Sequence, residues 1–260
     1  MDDRDQQSKK NNTHKGIFLL PNLFTTAALF GGFYAIIAAM KGQFEIAAIA
    51  IFISMVLDGL DGRVARLTNT ESDFGAEYDS LADMVSFGVA PGLVMYQWSL
   101  VYLVGDSMLH GKIGWLGAFI YTTCTALRLA RFNTQVGIAD SRYFQGLASP
   151  AAAAVLMGAV WVGETYGIAG QDVRYPALVL TIITGGLMIS RFSYYSFKGL
   201  DLRKKVPFVA VLIIMLIFVF LSIEQAAVLF SIFFLYLLSG PIVSLFRWNR
   251  DRMQITPNSE

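Results

Sequence analysis

One cysteine and two histidines are all that the 260-residue chain holds of the softer metal ligands. Cys124 stands alone in an apolar run, which excludes a disulfide framework within the chain and any cysteine-based zinc site; it reads as a small core residue. His14 and His110 have no partner at ligand spacing, so carboxylates are the available metal chemistry and any ion held here is a hard one. Charge is scarce too. Only 15% of residues carry it, and 20 basic against 19 acidic side chains balance to +1, so no basic excess points to nucleic acid as a partner. No stretch alternates polar and apolar residues over strand length with a hairpin signal, which argues against a transmembrane barrel. Tandem repeats and low-complexity segments are missing as well.

What fills the chain instead is apolar: 55% of residues are hydrophobic and the mean hydropathy is +0.54, a balance seldom found in a water-soluble domain. Eight apolar stretches approach the roughly 20 residues that a helix needs to cross a bilayer core of about 30 Å. They run Ile17 to Met40, Phe44 to Ala65, Tyr78 to Val104, Ile113 to Ala130, Ala148 to Tyr166, Tyr175 to Ser193, Pro207 to Ile223 and Gln225 to Phe246. The expected fold is therefore an all-α integral membrane protein. The first stretch is too long for a signal-peptide core and is expected to be a retained helix. With the N-terminus in the cytoplasm, 17 Lys and Arg fall on the cytoplasmic side and only Lys41, Lys112 and Arg174 on the other. That bias predicts eight spans with both termini cytoplasmic. Residues 1–16 form a cytoplasmic segment in this division, 17–198 a six-helix membrane domain, 199–247 a linker with two additional transmembrane helices, and 248–260 a cytoplasmic tail.

Four acids interrupt this apolar pattern. Asp58, Asp61, Asp79 and Asp83 lie in or beside two adjacent spans, where each carboxylate at membrane depth costs about 2.5–3.5 kcal/mol. Asp58 and Asp61 are three apart, Asp79 and Asp83 four apart, so each pair occupies one helix face a turn apart. The short connection between the helices makes them antiparallel neighbours and lets the two faces oppose each other near the cytoplasmic surface. Unpaired, such a cluster repels itself; divalent cations favour its charged form. All-oxygen ligands suit Mg²⁺, Mn²⁺ or Ca²⁺. The competing reading pairs these acids with Arg63 and Arg66 or uses them as helix caps. Gly62, four residues after Asp58, and Gly75, four before Asp79, remove side chains where a bulky anion or a neighbouring helix could come close.

Written out, Asp58 to Asp83 reads D-G-L-D-G-R-V-A-R, eight residues, then G-A-E-Y-D-S-L-A-D. This resembles the signature of the CDP-alcohol phosphotransferase family, D-x-x-D-G-x-x-A-R-x8-G-x3-D-x3-D, at every fixed position. The resemblance implies a six-helix core over residues 17 to 193. It implies that Asp58, Asp61 and Asp79 are metal ligands, that Asp83 helps to bind metal and acts as general base, and that Asp61, Gly62, Ala65, Arg66 and Gly75 serve the CDP moiety. Pro21, Asn22 and Thr25 resemble a further family element near the nucleotide, and as bare sequence could equally be a helix start. Asp79 to Pro91, Ala126 to Asn133, Phe144 to Ala153 and Met188 to Lys198 resemble the family's phosphatidylserine synthase branch. Ala148 departs from it, standing where that branch is expected to carry proline.

That branch uses CDP-diacylglycerol as donor and serine as acceptor and releases CMP, so these are the expected partners, together with membrane lipid and a second copy of the chain as a homodimer. Two divalent cations, Mg²⁺ or Mn²⁺, are the expected cofactors, with Ca²⁺ a non-productive occupant. An amino-acid carboxylate calls for a planar guanidinium, and Arg128 and Arg131, three apart on one helix face, are the candidates, with Asn133 and Lys198 beside them. Membrane anchoring by the positive-inside bias is their alternative reading. The expected location is the inner cell membrane, with the site facing the cytoplasm. Glycerol 3-phosphate or inositol phosphate is the rival acceptor, though a phosphorylated alcohol demands more cations. An ion or solute transporter is the remote rival, because intramembrane acids also mark ion pathways; here they cluster at one end of two helices.

Overall fold

The computed structural model describes residues 3–68, 70, 72–105, 108–134, 143–195, 215–216 and 219–254. Its main helices are α1 (Asp3–Met40), α2 (Phe44–Thr68), α3 (Asp73–Asp83), α4 (Ala90–Trp98), α5 (Met108–Thr134), α6 (Ser149–Thr165), α7 (Arg174–Ile189) and α8 (Gln225–Gln254). These helices fall on the expected spans except Pro207 to Ile223, most of which lies outside the described residues. The polar residues from Asp3 onward continue α1 without a break.

Local chemistry sets several of these boundaries. Ser72 caps α3, its hydroxyl accepting from the Gly75 N–H at 3.1 Å, and Asp73 places negative charge in the first turn, where the helix dipole favours it. Pro150 stands in the first turn of α6, where its missing N–H costs nothing.

Helix α6 lies at the centre, packed against α2, α4, α7 and α8. Ala151 to Met157 are all buried, the small side chains letting neighbouring helices approach closely. The outer surface is the apolar one, with Phe30, Phe33, Ile53, Val56, Phe119, Ile183 and Leu235 exposed on five helices. Within α1 and α8, Pro21–Met40 and Gln225–Ser244 are long and apolar enough to cross a membrane, at hydropathies of 1.8 and 2.2. A bundle with small residues inside and large apolar ones outside is an α-helical integral membrane protein.

Two features go beyond the sequence reading. The stretch Tyr78 to Val104 is not one α-helix: a π-helical turn, Met84–Val89, follows Asp83, and a 3₁₀ segment, Leu100–Gly105, follows α4. The π turn seats Ser86 against α1, where its hydroxyl donates to the Ala28 carbonyl at 3.1 Å. Ser54 of α2 donates to the same carbonyl. Gly32 permits this crowding, since a Cβ there would stand 2.7 Å from Ser86 Cα.

The second feature is a small addition to a fold that is otherwise helical, as expected. A two-stranded antiparallel ladder pairs β1 (Tyr143–Gln145) with β2 (Ser193–Tyr195), Phe144 opposite Tyr194. Hairpin spacing could not reveal it, because α6 and α7 intervene. Gly146, at φ +81°, turns the chain out of β1 against the Met188 carbonyl, in space that a side chain would need.

Candidate metal and nucleotide site

The middle of α1, the end of α2 and the start of α3 meet around a cavity of about 470 Å³, within the range of small-molecule sites. Its walls are Pro21, Asn22 and Thr25 from α1, Asp61, Gly62 and Ala65 from α2, and Thr70, Ser72, Asp73, Gly75, Ala76 and Asp79 from the connection and α3. Six residues expected at the nucleotide, Asn22, Thr25, Asp61, Gly62, Ala65 and Gly75, are thus brought together. Arg66 is not in this lining; its Nε donates to the Gly62 carbonyl at 2.9 Å, one turn back along its own helix. Thr70, Ser72, Asp73 and Ala76 were missed by the sequence reading. The S-D-x-G run from Ser72 to Gly75 carried a usable signal, being a helix cap placed beside an expected ligand site.

Asp58, Asp61 and Asp79 each offer one oxygen to a group whose members all lie within 4.8 Å of one another. Asp61 is 5% exposed, and its Oδ2 accepts a hydrogen bond from the Thr25 hydroxyl at 2.8 Å. Asp83 stands beside Asp58. Among the described residues no ion pair joins these four acids to Arg63 or Arg66. Asp79 Oδ1 and Asp83 Oδ1 are buried with no hydrogen-bond partner. Orphaned buried oxygens of this kind are costly, and a hard cation is the ligand that satisfies several at once. The donor set therefore fits a divalent metal.

The four residues expected at the acceptor have different settings. Arg128 is half-buried, donates to Ser149 Oγ at 2.7 Å and lies near enough to Asp83 for their charges to interact. Arg131 spans the ends of β1 and α7, donating to the Gln145 carbonyl at 2.5 Å and the Ile189 carbonyl at 3.4 Å. Asn133 Nδ2 donates to Ser80 Oγ at 3.0 Å, which joins the end of α5 to the helix carrying Asp79 and Asp83. Lys198 lies outside the described residues.

Fold and site together define a class: a helical membrane protein with a cavity beside clustered carboxylates that suit a divalent cation. The family profile described as CDP-alcohol phosphatidyltransferase matches residues 18–189, and the chain belongs to that family, whose members depend on divalent metal. It is 37% identical over 220 residues to the CDP-diacylglycerol–serine O-phosphatidyltransferase of Helicobacter pylori (strain ATCC 700392 / 26695), covering 85% of this chain and 90% of that one. A protein of the same name from Methanocaldococcus jannaschii is 40% identical over 144 residues, 55% of this chain and 61% of its own. The Saccharomyces cerevisiae protein of that name is 34% identical over 187 residues, 62% of this chain and 64% of its own.

Proposed function

We propose that the chain transfers the phosphatidyl group of CDP-diacylglycerol to the hydroxyl of L-serine, giving phosphatidylserine and CMP. The observation that carries this reading is the convergence of the Asp58, Asp61 and Asp79 oxygens beside a cavity of nucleotide size. Relatives named for this reaction in bacteria, an archaeon and yeast support serine as the acceptor.

In this reading Asp58, Asp61, Asp79 and Asp83 hold two divalent cations, Mg²⁺ or Mn²⁺. When bound, these neutralise the pyrophosphate and stabilise the phosphate that leaves. Asn22, Asp61, Gly62, Ala65, Arg66 and Gly75 form the CDP subsite, with Thr25 in the wall beside Asp61; at Gly62 the bare backbone leaves room for the ligand. Asp83 takes the serine hydroxyl proton as that oxygen bonds to the phosphorus bearing diacylglycerol, and the bond from this phosphorus to the CMP oxygen breaks. The Arg128 guanidinium is favoured for the serine carboxylate, because it stands beside the general base. Arg131, committed to two backbone carbonyls, supports the wall behind it, and Asn133 and Lys198 complete the proposed acceptor set. The positive-inside bias supports eight spans, a site facing the cytoplasm and a location in the inner cell membrane, where soluble serine and CMP are at hand. Residues 17–198 would be the catalytic domain and 199–247 an accessory helical pair, with a homodimer as the assembly.

Measurement of CMP release tests the proposal. The protein in lipid vesicles receives CDP-diacylglycerol and, in turn, serine, glycerol 3-phosphate and inositol phosphate. Serine alone should support turnover, and Asp83→Asn should lower it by about 10²- to 10⁴-fold while the protein stays folded. Turnover with glycerol 3-phosphate but not serine, or undiminished turnover after chelation, would defeat it.

A further inference from the structure

The resemblance assigns Thr25 to the nucleotide, but its bonds turn it the other way. Thr25 is 4% exposed. Its one hydroxyl proton faces two acceptors, the Asp61 carboxylate at 2.8 Å and the Pro21 carbonyl of its own helix at 3.2 Å. The shorter contact is also the charge-assisted one, so the proton belongs to Asp61. Thr25 and Asp61 lie on different helices, and this bond spans the packed face of α1 and α2 beside the cavity wall to which both residues contribute. Among the described residues neither Asp58 nor Asp79 accepts from a neutral hydroxyl in this way, and Asp79 has one oxygen wholly without a partner. A carboxylate with one oxygen fixed by a donor presents the other in one direction, which is how outer partners orient metal ligands.

We propose that Thr25 is a positioning residue: it fixes the Asp61 carboxylate from the neighbouring helix and so sets the affinity of the cation site before any nucleotide arrives. This rests on the reading of Asp58, Asp61 and Asp79 as metal ligands. Removal of the hydroxyl frees Asp61 to rotate and leaves a buried carboxylate oxygen unpaired, so metal is held less well even in the absence of substrate.

Thr25→Val keeps the side-chain shape and removes the donor; Thr25→Ser keeps the donor. Binding of Mn²⁺ to the purified full-length protein, without nucleotide, is followed by loss of the free-ion paramagnetic resonance signal, with the metal-induced rise in melting temperature as a second readout. Thr25→Val should weaken Mn²⁺ binding by roughly 10- to 100-fold, and Thr25→Ser should bind within about twofold of the unaltered protein. The KM for CDP-diacylglycerol at saturating metal should change little in either. Unchanged Mn²⁺ binding in Thr25→Val with a raised KM for CDP-diacylglycerol overturns the proposal and returns Thr25 to the nucleotide. Asp61→Asn separates this failure from that of the parent reading. If the unaltered protein and Asp61→Asn bind Mn²⁺ alike, the metal assignment itself is wrong.

Discussion

The contact between Gly32 and Ser86 offers a sharp test of how the helices register the acids. An alanine Cβ at position 32 would stand 2.6 Å from Ser86 Oγ and 2.7 Å from Ser86 Cα, whereas ordinary contact begins near 3.4 Å. A rotamer change relieves the first clash but not the second, which involves backbone. Gly32→Ala must therefore push α1 and the π turn apart by about 0.7 Å. The Ser86 bond to the Ala28 carbonyl, at 3.1 Å, would then pass beyond useful length. Asp83 lies less than one turn before Ser86 and moves with it, away from Asp61 and Thr25. Overpacking of this kind costs about 1–3 kcal/mol, and a displacement near 1 Å at a reacting centre costs about 10²-fold in rate. Melting temperature and kcat for CMP release should both fall, and Ser86→Ala should not restore them, since the Cα clash survives. Gly186→Ala is the control, because a Cβ there meets nothing within 4 Å. A Gly32→Ala protein that melts lower yet keeps kcat within about twofold would refute the link between this contact and the site.

Three further substitutions separate ligand space and acceptor binding from fold. At Gly62 a Cβ meets nothing within 4 Å, so Gly62→Ala should gain up to about 1 kcal/mol of helix stability; it should nonetheless raise the KM for CDP-diacylglycerol, and melting curves paired with donor titrations check both halves. Arg131→Ala, losing its bonds to the Gln145 and Ile189 carbonyls, should cost about 2 kcal/mol with little direct effect on serine affinity. Arg128→Lys should raise the KM for serine by roughly tenfold and leave that for the donor unchanged, as acceptor titrations of CMP release would show.

Helix identity and the acid cluster were legible because both follow from spacing. Apolar runs of membrane length mark the helices, and acids at intervals of three and four share a face whatever surrounds them. The π turn after Asp83 was not legible: M-V-S-F-G-V reads as ordinary apolar helix, and only the approach of Ser86 to the Ala28 carbonyl shows why the backbone widens there. The same limit applies to Thr25 and Arg131. Their types announce a polar role, but the partners that decide it, Asp61 and the Gln145 and Ile189 carbonyls, come from distant parts of the chain. The β1–β2 ladder escaped for a related reason, since each strand has three residues and its partner lies beyond two helices.

Acids also occur near the opposite ends of the helices, and there they are treated differently. Glu164 Oε1 accepts from the Trp98 indole at 2.8 Å, and Glu45 Oε1 from the Trp161 indole at 3.2 Å. Glu45 and Asp58 sit on the same helix, about 20 Å apart along its axis. At one extremity, then, every carboxylate named has a neutral donor from the protein itself, and nothing else need be recruited. At the other, acids outnumber donors, and the deficit is an appetite for positive ions. The bundle is thus chemically polarised along its length, and an ion meeting either extremity would be retained at only one.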